Sequence, residues 1–250
     1  VSERARLGVF FTGAGGLAVL LAWGLAGLPS FGASGGAYAL LINHVVVAQR
    51  HATDAVTAVN FDYRALDTLG EEFILFVSVV GLAVLLREQR AERERPPAQA
   101  GREHRFQGSS YALRAVTLVL IGPLVVLALY VDSHGALTPG GGFQGGVVGA
   151  AALLMVFLGG GYLAMRRLSP HALVELAEST GAAAYALIGL GGLVFAGVFF
   201  KNFLGLGTPG ELLSAGTIPL SSMAVGLEVT GAFVLLWSEF LDQALIVRPR

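Results

Sequence analysis

Residues 132–149, D-S-H-G-A-L-T-P-G-G-G-F-Q-G-G-V-V-G, decide how the chain is read. Long apolar runs flank the stretch on both sides. The stretch itself holds a carboxylate, an imidazole, a proline and closely spaced glycines, more polarity and backbone freedom than a plain connector between membrane helices needs. Two readings fit it. Pro139 followed by Gly140, Gly141 and Gly142 suits positive φ angles, and free amides ahead of a helix N-terminus form a concavity for an anion. Alternatively, Gly141, Gly145 and Gly149 recur every four residues, a small-xxx-small face on which a second helix approaches closely. Gly140, Gly142 and Gly146 join that surface, and helix packing is the favoured reading.

The flanking runs set the fold class. Of 250 residues, 54% are hydrophobic and only 13% charged, and the mean hydropathy is +0.70, values of a membrane protein. Stretches near the ~20 residues that cross ~30 Å of hydrocarbon fall at 7–28, 65–86, 111–131, 143–165, 181–200 and 219–241. The expected fold is therefore all-α, with six transmembrane helices. Residues 37–48 are apolar but too few for a crossing, and read as a short re-entrant or interfacial helix. The first apolar run is long and is followed by more spans, so it reads as a retained helix rather than a signal peptide.

Basic residues mark the sides, because short cytoplasmic loops collect Lys and Arg. With both termini cytoplasmic, only Arg50, Arg64 and Lys201 lie outside, 3 of the 16 Lys and Arg. The glycine-rich stretch then lies on the outer side. Residues 87–105, R-E-Q-R-A-E-R-E-R-P-P-A-Q-A-G-R-E-H-R, read as a solvated cytoplasmic linker. The chain accordingly divides into a two-span segment (1–86), a charged linker (87–110) and a four-span segment (111–250).

No cysteine is present, which excludes disulfides and cysteine-held iron–sulfur clusters. No nucleophile elbow, paired-histidine metal helix or phosphate loop occurs, so no catalytic residues, metal ligands or cofactor are expected, and the chain reads as a non-enzyme. A net charge of −1 gives no reason to expect nucleic acid. The surrounding lipid bilayer and other membrane chains are the expected partners.

Three stretches resemble a known family. D-Y-R-A-L-D-T-L-G-E at 62–71 resembles the D-F-R-G-F-D-T-L-G-E signature near the C-terminal end of the large MrpA-type chain of Mrp-type multisubunit sodium/proton antiporters. That segment also occurs as a small separate chain of membrane-bound hydrogenases related to respiratory complex I. S-H-G-A-L-T-P-G-G-G-F-Q-G-G-V-V at 133–148 resembles the H-x-x-P-G-G-G-F-x-G-G signature of the MnhB/MrpB chain of the same antiporters. S-A-G-T-I-P-L and V-G-L-E-V, within 202–235, resemble the end of that chain. The matches run in order, as a fusion of an MrpA-type tail to an MnhB/MrpB-type segment. The resemblance implies a cell-membrane subunit of a monovalent-cation (Na+)/proton antiporter, lining or supporting an ion or proton path beside partner subunits. The alternatives are the same module in a redox-driven complex related to complex I or hydrogenase, and a structural scaffold subunit without an ion path.

The candidate pathway residues are Asp67, Glu71, Asp132, His134, Lys201 and Glu228. Asp67 and Glu71 lie four apart and share a helix face. Glu228 sits inside the last apolar run with no basic residue within four positions, so it must be neutral, paired across helices or facing water. His134, beside Asp132, titrates in the physiological range when unperturbed. Lys201 reaches an interface or a neighbouring acid. Glu72 is expected to face headgroups, and Glu175, Glu178, Glu239 and Asp242 to be solvated near the cytoplasmic surface.

Overall fold

A computed structural model describes residues 3–28, 30, 36–86 and 110–246, and the structural statements below concern these residues. The helices are α1 (Glu3–Ala26), α2 (Ala37–Arg50), α3 (Ala55–Ala58), α4 (Ala65–Leu86), α5 (Tyr111–Ser133), α6 (Gly142–Gly160), α7 (Tyr162–Leu168), α8 (His171–Ala196) and α9 (Ile218–Ile246). A single π-helical turn, Val59–Tyr63, joins α3 to α4. No strand occurs among the described residues, and α1, α4, α5, α6, α8 and α9 are each long and apolar enough to cross a membrane. The chain is an all-α, multi-pass membrane protein. The charged stretch expected to be a linker lies outside the described residues, apart from Ser110, whose hydroxyl caps α5.

Two compact units are present, Val1–Leu41 and Ile42–Arg250. In the first, the described side chains of α1 are exposed, and Gly13, Gly16 and Gly24 face open space. The 14-residue α2 is ~21 Å long at ~1.5 Å per residue, short of ~30 Å of hydrocarbon.

In the second unit α9 is the central helix. It packs against α4, α5, α6 and α8, and 72% of its apolar window is buried, against 11–33% for those four. Small residues make this possible. α5 and α6 form an antiparallel pair, and α8 crosses α9 antiparallel, with Gly181 against Glu228 and Gly231 against Glu178.

Two span boundaries differ from the sequence reading. α8 begins at His171, ten residues before the expected start, because the polar residues of its first turns face neighbouring groups and the helix continues through them. The fourth span stops at Gly160, since Gly161 adopts φ 81°, a conformation that favours glycine and turns the chain into the separate α7.

One end of the bundle is closed by residues 51–63, 134–141 and 197–217. Thr53 and Asp54 both donate their amides to Ala136 O, at 3.0 and 3.2 Å. Thr53 Oγ1 donates to Leu137 O at 2.5 Å, and Ser214 Oγ donates to His51 O at 2.7 Å. The 51–63 segment is thus tied to residues far along the chain before α4 enters the bundle.

Candidate functional site

Asp54 starts the local structure: its carboxylate accepts from Thr57 N at 3.0 Å and caps α3. The helix then widens into the π turn and breaks at Arg64, where φ is −134° and ψ 32°. A π turn exposes backbone groups that a regular helix would satisfy, and such turns recur at functional sites. Here Asn60 O accepts from Thr68 Oγ1 at 2.8 Å, and Tyr185 OH donates to Ala65 O at 3.0 Å. These bonds fix the start of α4, and with it the direction of the next turn, which carries Glu71 and Glu72.

Glu72 is 4% exposed, which corrects the expectation that it faces headgroups. Adjacent helical residues point about 100° apart, so Glu71 takes the exposed side and Glu72 turns toward α9. There its carboxyl meets that of Glu228, which is completely buried. Neither Glu228 oxygen, nor Glu72 Oε2, has a hydrogen-bond donor among the described residues. A single proton between the two carboxyls makes one the donor and the other the acceptor, and removes the charge repulsion that two carboxylates would suffer here.

Glu178 is the third member. It too is 4% exposed, which corrects the reading of this residue as solvated; it lies within electrostatic range of Glu228. The reason is the α8–α9 crossing. Each helix carries the same tetrapeptide form, Glu178-Ser-Thr-Gly181 and Glu228-Val-Thr-Gly231, and the antiparallel contact sets each glycine against the other helix's glutamate. A Cβ on Gly231 would lie 2.7 Å from Glu178 N and 2.9 Å from its Cβ. Close backbone approach therefore brings the two acids together.

Polar groups continue from this trio toward both ends of the bundle. At the 51–63 end, a cavity of about 260 Å³ has Glu71, Glu72, Thr57, Asn60 and Gln144 in its lining. Toward the other end, Glu178 faces Glu175. His171 follows, with Nδ1 3.3 Å from Glu175 and Nε2 3.3 Å from Glu239. Glu239 is half-buried in this pairing rather than freely solvated, whereas Glu175 is exposed. The side chain of Asp242 lies outside the described residues.

The remaining candidates are placed elsewhere. Asp67 is exposed and bound by Arg64, with Nε 2.6 Å from its Oδ2. Asp132 is held at the end of α5 by Ser222 Oγ, which donates to its Oδ1 at 3.0 Å, and its carboxylate lies against Gly226 of α9. His134 stacks on Tyr130 with ring centroids 4.1 Å apart, and is turned back onto the last turn of α5. Lys201 is exposed, its backbone seated on Gly192. Of the expected pathway residues, the structure brings Glu71 and Glu228 toward one another through Glu72, and leaves Asp67 and Lys201 outside that group.

The glycines of the opening stretch are contact points between helices. Gly142 and Gly146 lie against α9 at Val225 and Val229, Gly145 against Ala128 and Asp132, Gly149 against Thr230 and Ala128, and Gly140 against Val131. Gly141 adopts φ 117°, a backbone no other residue takes without strain. Its amide donates to Val131 O at 3.1 Å, so it is not free for an anion.

Residues 112–235 match a domain related to the MnhB subunit of Na+/H+ antiporter. An uncharacterised protein of Methanocaldococcus jannaschii is 31% identical over 217 residues, which cover 78% of this chain and 81% of that protein. A chain of the membrane-bound sulfane sulfur reductase, an archaeal respiratory membrane complex, superposes with a TM-score of 0.67 and 31% identity, over 98% of this chain and 99% of that one. A chain of the Mrp complex from Dietzia sp. superposes with a TM-score of 0.69 and 26% identity; 96% of this chain aligns, spanning about a quarter (26%) of that chain.

Proposed function

Because the chain belongs to the MnhB-related family of membrane subunits, we propose that it is a membrane subunit of a multisubunit monovalent-cation/proton antiporter and carries part of a proton path through its own helices. The observation that carries this reading is the buried trio Glu72, Glu228 and Glu178, contributed by three helices, with no ion pair to any of them among the described residues. Acids at such depth are costly unless neutral or hydrated, and their usual employment is in ion and proton relays.

The relay runs from Glu71 at the cavity to Glu72, then to Glu228, Glu178 and Glu175, and on to His171 and Glu239. A proton shared between Glu72 and Glu228 passes onward when Glu178 receives it, and water reaches the row at its two ends, where Glu71 and Glu175 are exposed. By the distribution of basic residues, the cavity end is the outer side and the His171 end the cytoplasmic side, with both termini cytoplasmic. The two-span segment at 1–86 supplies Glu71 and Glu72 and the four-span segment at 111–250 supplies the rest, so fusing the two parts joins the halves of one path. Partner subunits carry the remainder of the exchange.

The test replaces Glu228 with glutamine in the assembled complex, reconstituted in vesicles with a trapped pH dye. The expected result is loss of cation-driven proton movement with normal assembly; full transport by the assembled variant would leave only a scaffold role. Mass spectrometry of the gently solubilised complex identifies the assembly. Antiporter-type membrane subunits alone support this reading, and co-purifying iron–sulfur subunits assign the same module to a redox-driven complex.

A further inference from the structure

Between two spans lies a short helix that the relay does not use. α7, Y-L-A-M-R-R-L at 162–168, follows the turn at Gly161, and only Ser169 and Pro170 separate it from α8. Its 7 residues rise ~10 Å at ~1.5 Å each, so it stays at the membrane boundary where α6 ends and α8 begins. Residues three and four apart share a helix face. Met165 and Ser169, both buried, anchor α7, and Tyr162 and Arg166 lie half-buried on the same side. Leu163 and Arg167 share the exposed side, with Leu168 exposed beyond them. A short helix that exposes leucines beside arginines at the end of a span belongs at the depth of lipid headgroups.

The two arginines lack a counter-charge. No ion pair to Arg166 or Arg167 is formed among the described residues, and Arg166 Nη1 is buried there without a hydrogen-bond acceptor. The Arg166 guanidinium carbon lies 5.8 Å from the centre of the Tyr162 ring, which holds the cation without supplying a negative charge. The acids at this end, Glu175 and Glu239, already face His171. Arg114 adds to the same sign: it is exposed on the first turn of α5, and its carbonyl oxygen lies 3.9 Å from the position a Cβ on Gly159 would take. A half-buried guanidinium without an anion is costly, and its planar fork of donors matches a phosphate.

We infer that α7 binds one anionic phospholipid, its phosphate held by Arg166 and Arg167 and its acyl chains lying against Leu163 and Leu168. A soluble anion has no use for the exposed leucines, whereas basic sites between the ends of membrane helices suit anionic headgroups. The inference is independent of the relay, to which neither arginine belongs.

The intact complex, stripped of lipid in a neutral detergent, is titrated with phosphatidylglycerol, with phosphatidylcholine of the same acyl chains and with inorganic phosphate, and its thermal unfolding is followed. Phosphatidylglycerol should raise the unfolding temperature saturably, and the other two should not. Arg167→Gln, at an exposed position, lowers the apparent affinity about fivefold, the worth of one basic residue near an anionic surface. Arg166→Gln lowers it about tenfold or more, the worth of a hydrogen bond to a charged group, and Arg166→Lys, which keeps the charge, restores part of it. Equal stabilisation by both lipids or by inorganic phosphate overturns the site, and unchanged phosphatidylglycerol affinity in Arg167→Gln does so by itself, even where Arg166→Gln fails to assemble. A carbodiimide crosslink from the Arg166→Lys side chain to another subunit assigns the arginine to a protein carboxylate and overturns the lipid reading.

Discussion

Gly231→Ala tests the relay without removing any titratable group. The added methyl would lie 2.9 Å from Glu178 Cβ. An ordinary carbon–carbon contact is ~3.5–4.0 Å, so α8 and α9 must part by roughly 0.6–1.1 Å at this point. Overpacking of this kind costs about 1–3 kcal/mol, which the subunit tolerates at reduced thermal stability. The functional effect is larger than the structural one. Direct proton transfer requires heavy atoms within ~2.6–3.2 Å, so a displacement near 1 Å that moves the Glu178 carboxyl away from Glu228 is large on the scale of that requirement. Cation-driven proton movement in reconstituted vesicles should fall by about tenfold or more, roughly the scale set for misplacing reacting groups by 1 Å. The partial control is Thr230→Ser, one residue away and half-buried against Gly146 and Gly149 of α6, which should retain transport. Wild-type transport by an assembled Gly231→Ala complex would show that close approach of α8 to α9 does not set the relay.

Other consequences concern how the site is held. Arg50 Nε lies 2.6 Å from Asp62 Oδ1, and the Asp62 side chain is 5% exposed with Oδ2 unpartnered, so Arg50→Ala strands a buried carboxylate. A loss of about 1–3 kcal/mol is expected, partly recovered by adding Asp62→Asn; thermal unfolding should rank the double variant above Arg50→Ala. Ser222→Ala removes the donor to Asp132 and should cost about 1–3 kcal/mol, read as faster amide hydrogen exchange over 130–141; unchanged exchange would refute it. Gly146→Leu places a Cβ 2.7 Å from Val229 Cβ and forces α6 off α9, so the chain should not be recovered in assembled complex.

The six spans were legible because apolar length alone reports them, and 65–86 coincides with α4. What apolar length does not report is which helix sits in the middle. The mean hydropathy of α9 is 1.6, within the 1.5–2.3 of the other spans, because lipid and protein interior are equally apolar environments. Glu228 was visible as an acid inside a run. Glu72 was not, since its neighbour Glu71 carried the recognised motif and only the position of α9 tells which of two adjacent acids turns inward. Glu178 lay ahead of the expected start of its span and so counted as surface. One signal for it was present: the Glu-x-Thr-Gly form occurs at 178–181 and again at 228–231, and two such tetrapeptides on neighbouring antiparallel helices pair by symmetry.

The bonds that tie residues 51–54 to 136–137 and to 214 also bear on how the protein is made. Their sequence separations reach 163 positions, and Glu228 itself arrives on α9, after the other described helices. A nascent chain halted between α4 and α9 therefore holds Glu72 without its partner, and His51 without its bond to Ser214 until residue 214 has been made. Under the proposed relay, a copy stalled before α9 offers protons no row of acids to follow.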